Sequence, residues 1–198
     1  MIIDHPIRPK SIITTGFGHD IDPVVGGYRF HRAIDRSRGD RKVYCPMAAI
    51  RAVIENPSTP SYGTLIRLIY DGFEIRLAHC VDFDPYFVSL VSSERHIPAG
   101  TFLAAEGKAG KATGPHTHIE LIAIGDRSAD LDASLKAHGG TPGERWSPQE
   151  LQIATGGAHV TWMQEYGARH LGPYECVAWD RRTNSLSIWM DPAATLGL

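Results

Sequence analysis

Residues 62–79 read YGTLIRLIYDGFEIRLAH. Apolar and polar residues alternate over 62–70 and again over 73–79, with Asp71-Gly72 between the two runs. Alternation with period two sends successive side chains to opposite faces of a strand. An Asp-Gly pair accepts the positive φ angles of a tight hairpin turn. The stretch therefore predicts a β-hairpin with one buried face. Working outward, residues 48–55 (AAIRAVIE) contain good helix formers, but the β-branched residues and the adjoining hairpin predict another strand. Residues 97–104 (IPAGTFLA) and 117–124 (THIELIAI) also read as strands, joined by the glycine-rich GKAGKATGP. Residues 11–121 are thus expected to form a series of short, mainly antiparallel strands.

Residues 126–198 have a different character. Ser147-Pro148-Gln149-Glu150 has the order of a capped helix start: serine at the N-cap, proline at N1 and glutamate at N3. A second helix is expected over 158–170, ending at Gly172-Pro173. Residues 174–179 and 185–190 read as strands around the polar turn 180–184. Trp146, Trp162, Trp179 and Trp189 all lie in this part and read as buried anchors rather than sugar-stacking rings. The expected fold class is mainly β, α+β overall. Its parts are an antiparallel core domain over 1–125 and a C-terminal extension over 126–198. The extension holds helices and a β-hairpin, either packed on the core or forming a small subdomain.

The chain has 198 residues, enough for a hydrophobic core without metal or disulfide staples. Twenty basic against 22 acidic residues give a formal charge of −2. That balance excludes a nucleic-acid binder working by bulk positive charge. Cys45, Cys80 and Cys176 are odd in number, widely spaced and without a CxxC, so neither a disulfide framework nor a thiolate zinc knuckle is expected. The start MIIDHPIRPK has no basic region followed by an apolar one, which reads as no signal peptide. No run is long and apolar enough to span a membrane. Synthesis in the cytoplasm is expected, with delivery by another route if the protein acts outside it. The ten histidines are roughly double ordinary usage, a hint of metal or proton chemistry.

Three pieces carry that hint. They are His31-Arg32-Ala33-Ile34-Asp35, Leu77-Ala78-His79 at a predicted strand end, and Gly114-Pro115-His116-Thr117-His118 opening another strand. Residues two or four apart on a strand share a face, so His116 joins His118 and His31 joins Asp35. His31, Asp35 and His118 make an imidazole and carboxylate set suited to zinc, with an open fourth position. His116 and His79 would remain beside that position. His5, His19, His96, His138, His159 and His170 read as carrying no chemistry. Residues 107–113 resemble a phosphate loop but miss its register: Ala105 stands where a glycine is required, and Ala112 follows Lys111. They read instead as a turn beside the cleft. Arg29, Arg32, Arg36, Arg38, Arg41 and Lys42 read as a solvated rim. Glu120 is either a partner for a ligand histidine or a plain strand residue.

The ordered set resembles the lysostaphin/LytM-type zinc metallo-endopeptidases. Their pattern is Phe-Gly, H-x3-D, a YG strand, A-H at a strand end, a G-x-x-G turn and G-P-H-x-H-x-E. The chain matches it with Phe17-Gly18, His31 to Asp35, Tyr62-Gly63, Ala78-His79, Gly107 to Gly110 and Gly114 to Glu120. The resemblance covers residues 11–121. It departs from the pattern at Asp20 and Asp22-Pro23, at Ala33 and at Leu77, as a divergent member would. The resemblance implies a duplicated-hybrid-motif β fold, one zinc ion per chain on His31, Asp35 and His118, and catalytic roles for His116 and His79. His116 would take the proton of water and return it to the leaving amine. His79 would orient the water or bond the oxyanion, and the two could exchange roles. Asp20 or Asp22 offers a carboxylate for the fourth zinc position in a latent state.

The resemblance leads one to expect a zinc endopeptidase cutting stem peptides or cross-bridges of bacterial peptidoglycan. It would work without nucleic acid or membrane insertion, in a phage or prophage lysis or virion role. Three alternatives stand beside it: a non-catalytic module that binds or activates a wall enzyme, a virion component stiffened by zinc, and a peptidase acting on protein.

Overall fold

The computed structural model describes residues 7–21, 23, 26, 28–55, 61–123, 161–162, 169–172, 175–180 and 185–196, with the side chains at 19–20, 28–30 and 161–188 outside that description. The first five strands are β1 (Ile12–Thr15), β2 (Gly18–Ile21), β3 (Tyr28–His31), β4 (Ile34–Ser37) and β5 (Lys42–Tyr44). Next come β6 (Arg51–Glu55), β7 (Leu65–Ile69), β8 (Phe73–Ala78), helix α1 (Pro85–Ser92), β9 (Phe102–Ala105) and β10 (Thr117–Ala123). The C-terminal part contributes β11 (Thr161–Trp162), β12 (Arg169–Gly172), β13 (Glu175–Asp180), β14 (Ser185–Met190) and helix α2 (Pro192–Leu196).

The mainly antiparallel β architecture is as the sequence leads one to expect. The 62–79 hairpin pairs β7 with β8 in the register Leu65↔Ala78 to Ile69↔Glu74. Its turn closes with the Tyr70 amide donating to the Phe73 carbonyl at 3.0 Å, and Gly72 takes φ 78°. The largest sheet runs β11-β12-β13-β14-β10-β8-β7-β6, with β4 also on β10 and β1 on β4. β10 is its hub. One edge of β10 pairs with β8 throughout. The other edge is shared: Thr117 to Ile119 pair with β4, and Leu121 to Ala123 with β14. β2–β3 and β5–β9 form separate two-stranded sheets.

Period two divides this sheet into an apolar and a charged face. Ile66, Leu68, Ile75, Leu77, Ile119 and Leu121 enter one core with Ile34, Val43, Phe87 and Leu103. Burial of each such side chain contributes about 1.5–3 kcal/mol. The alternate positions bury charge. Arg67 donates to Glu74 at 2.9 and 2.5 Å and to Glu55 at 3.0 Å. Arg76 donates to Glu74, and its Nη1 lies 3.8 Å from Glu120 Oε2. Buried charges persist when each has an opposite neighbour. Here they form a ladder across β6, β7, β8 and β10 that ends at Glu120.

Several elements differ from the sequence reading. The helix expected over 158–170 is replaced, at its described positions, by strands β11 and β12. Their backbone bonds are satisfied by pairing between successive strands, β11 with β12 and β12 with β13, which overrides helix propensity. The helix start at 147–150 lies outside the described residues. Over 97–104 only the last part is a strand; Ile97 makes a single bridge to Ala49, and Pro98 and Gly100 (φ 75°) break the run. Helices α1 and α2 have no counterpart in that reading. Both follow Asp-Pro: Asp84 accepts from the Phe87 amide at 3.0 Å and Asp191 from the Ala193 amide at 2.9 Å. Each is an aspartate N-cap before a proline at the first helical position. No helix among the described residues is long and apolar enough to cross a membrane.

Candidate metal centre

Strand register assembles the site. His118 on β10 stands opposite Asp35 on β4 and, on its other side, opposite Ala78 at the end of β8. His31 is the last residue of β3. His79 follows Ala78 at φ 65°, a left-handed conformation disfavoured for a side chain. Its amide donates to the carbonyls of Tyr62 and Thr64, both at 3.1 Å, which holds the turn in place. Gly107 lets the following loop lie against this turn, since a Cβ there would come 2.5 Å from the His79 carbonyl oxygen. The Gly107 carbonyl in turn accepts from the His116 amide at 3.1 Å.

His31, Asp35 and His118 converge, with one candidate ligand atom from each lying within 4.8 Å of the others. His118 Nδ1 is 2.8 Å from Asp35 Oδ1, and His31 Nε2 is 3.4 Å from the same oxygen. His79 and His116 stand together at one side, ring centres 4.6 Å apart, and His116 Nε2 is 3.8 Å from Asp35 Oδ1. All five residues line one cleft of about 480 Å³.

The four histidines share one device. Each parks its far nitrogen on an oxygen: His31 Nδ1 on Gly16 O at 2.9 Å, His79 Nδ1 on Ala109 O at 2.6 Å, His116 Nδ1 on Gly114 O at 2.9 Å, and His118 Nε2 on Glu120 Oε1 at 3.2 Å. In the neutral ring that nitrogen carries the proton and donates. The other nitrogen, with its lone pair, faces the centre. Glu120 Oε1 also accepts from the Tyr62 hydroxyl at 2.5 Å.

The electrostatics favour a positive charge at the centre. Burial opposes ionisation of His118, but the hydrogen bonds and charges of Asp35 and Glu120 outweigh it and push its pKa up to about 9. Burial likewise opposes the Asp35 and Glu120 carboxylates, yet their histidine partners hold both well below the usual range. Burial, helped by the charge of His118, lowers His79 to about 4, so its ring is neutral at physiological pH. Two imidazole nitrogens and a carboxylate oxygen, next to a second ionised carboxylate, fit a divalent cation.

Some participants escape the sequence reading. Tyr62 enters it only as part of a motif, yet it braces Glu120. Glu120 itself is the partner of a candidate ligand rather than a plain strand residue. Arg36 does not belong to a solvated rim: it is 8% exposed, with Nε on Ser11 Oγ and Nη2 on Ser11 O, both at 2.8 Å. Arg38, Arg41 and Lys42 are exposed, whereas Arg32 is half-buried and lines the cleft. The side chains of Arg29 and Asp20, and all of Asp22, lie outside the described residues. Trp189 is 1% exposed, as an anchor should be; the other three tryptophan side chains lie outside the described residues.

No family model and no curated protein matches the chain. Solved structures do. A zinc containing peptidase from Vibrio cholerae is 22% identical, with a TM-score of 0.46 over 61% of this chain and 36% of its own. The catalytic domain of a mutant of the prophage-encoded M23 protein EnpA from Enterococcus faecalis is 21% identical, TM-score 0.41, over 59% of this chain and 83% of its own. The catalytic domain of the antimicrobial peptidase lysostaphin from Staphylococcus simulans is 19% identical, TM-score 0.46, over 59% and 82%. The chain thus spans about a third of the length of the first of these and about four-fifths of the other two. These are partial likenesses; the functional reading rests on the site itself.

Proposed function

We propose that the chain is a zinc-dependent endopeptidase hydrolysing peptide bonds in the stem peptides or cross-bridges of bacterial peptidoglycan. The observation that supports it is the convergence of His31, Asp35 and His118 with His79 and His116 facing the same centre, each imidazole oriented by an oxygen behind it. The wall substrate comes from the resemblance of the ordered motif. The proposed catalytic domain is 1–125, with 126–198 as its extension.

His31 Nε2, Asp35 Oδ1 and His118 Nδ1 would hold the zinc. When bound, it supplies Lewis acidity, polarising the scissile carbonyl and acidifying water. The residues divide the remaining work. His79, neutral and with its Nδ1–H committed to Ala109, accepts a hydrogen bond from the attacking water at Nε2 and so orients it. His116, with Nδ1–H committed to Gly114, accepts the water proton at Nε2. The water oxygen bonds the carbonyl carbon as the C=O π pair shifts onto the carbonyl oxygen, and that pair returns to re-form the C=O bond when the amine leaves. As the C–N bond breaks, His116 Nε2–H returns that proton to the departing amine nitrogen. Glu120 and Tyr62 fix the His118 ring, which keeps the lone pair of Nδ1 pointed inward.

The experiment is zymography on purified peptidoglycan. Clearing is expected, abolished by chelator and restored by zinc. Stoichiometric zinc without clearing on any wall type would overturn the reading in favour of a structural or binding role. Equal clearing by a His116→Ala variant would overturn the assignment of the base.

A further inference from the structure

We infer that Arg32 binds a carboxylate of the substrate peptide, and that Trp189 of the C-terminal part holds it in position for that task. The inference rests on the endopeptidase reading for its peptide and on independent contacts for its chemistry.

Arg32 lies between His31 and Asp35 in sequence and lines the same cleft. Its guanidinium carbon stands 4.5 Å from the centre of the Trp189 ring. Trp189 is fixed: it is buried, and its β14 residue pairs with Ile122 of β10, the strand that also carries His118. A contact with a ring face engages the charge of an arginine and leaves its N–H donors for other partners. Among the described residues no hydrogen bond or ion pair takes those donors.

Among the described residues the cleft offers Arg32 no acid of its own. Its acidic residues are Asp35 and Glu120, and His118 engages both. Among the described residues, an arginine with open donors in a cleft without an uncommitted carboxylate complements an acidic ligand. The planar fork of a guanidinium suits a carboxylate in particular, because both oxygens can be bonded at once. The carboxylate could be the peptide's free C-terminus or an acidic side chain near the scissile bond.

The test uses three synthetic stem peptides: one with all carboxylates free, one amidated at the C-terminus and one amidated at its side-chain carboxylate. Binding is read by calorimetry on the zinc-loaded full chain, and cleavage by chromatography. Wild-type protein is expected to prefer the free acid over one amide by about tenfold in Kd; the amide that loses affinity identifies which carboxylate is read. The acid-to-amide ratio should fall to about one in Arg32→Gln. Trp189→Leu should lower it, and Trp189→Phe should restore it, with circular dichroism and zinc content confirming the fold. Cleavage without an acid preference, or a preference unchanged in Arg32→Gln, overturns the inference and leaves the endopeptidase reading standing. An Arg32-dependent preference without cleavage overturns the endopeptidase reading and leaves carboxylate recognition. Neither binding nor cleavage overturns both.

Discussion

Asp35 and His118 face each other across the β4–β10 pairing, and their side chains meet at 2.8 Å. The candidate metal site is therefore set by strand register. A slip of one residue would turn one of the two away from the cleft, because alternate positions of a strand face opposite sides.

Loss of a proposed ligand should remove metal and activity together. Asp35→Ala and His118→Ala are expected to contain little zinc by elemental analysis and to clear no peptidoglycan. His116→Ala should keep its zinc while turnover falls by about 10²–10⁴-fold, the usual range for a lost general base. Zinc content unchanged in His118→Ala would refute this division.

Glu120 should matter through His118. In Glu120→Gln the side chain still accepts from His118 Nε2 but brings no charge, and zinc affinity is expected to weaken about 10–100-fold in a competition titration. Tyr62→Phe removes the hydroxyl that braces Glu120 and should have a smaller effect in the same direction.

The ionic ladder behind the site should be costly to break. Glu74 binds both Arg67 and Arg76 while about 2% exposed. Glu74→Gln leaves two guanidinium groups short of their counter-charge and is expected to cost about 3–5 kcal/mol in urea unfolding. Glu55, half-buried at the outer end, should cost much less when replaced by glutamine.

The two described thiols should be inert in the folded chain. Burial pushes Cys80 up to about 12 and raises Cys45 as well. A raised thiol pKa favours the protonated folded form, so its contribution to stability is complete below the ordinary thiol value. That contribution is lost as pH rises from about 9 toward about 12. Iodoacetamide at pH 8 should leave Cys45 and Cys80 unmodified until denaturant is added, read by peptide mass mapping. Denaturation midpoints should fall as pH climbs above about 9.

The 62–79 hairpin and the five clustered residues are legible in the sequence because they rest on local signals. Period-two alternation, an Asp-Gly turn and histidines two residues apart report geometry within a few positions. Residues 158–170 mislead because a helix-compatible composition yields to pairing with the adjacent strand β13, which β14 in turn joins to β10 of the core. The Asp-Pro starts of α1 and α2 are readable in principle and are outweighed by the surrounding strand pattern. Arg32 reads as part of a solvated rim because nothing near it in sequence reveals Trp189. The buried setting of Arg36 is hidden for the same reason, since Ser11 comes from β1's approach.

The shared edge of β10 has a consequence for the integrity of the chain. Leu121, Ile122 and Ala123 give their outer backbone groups to β14. A protein shortened to residues 1–125 would retain every proposed zinc-binding and acid–base group, yet leave one edge of three consecutive apolar residues unpaired. Such an edge recruits strands from other molecules. The C-terminal part is thus expected to guard against self-association, and the shortened protein should form higher-order species by light scattering where the full chain does not.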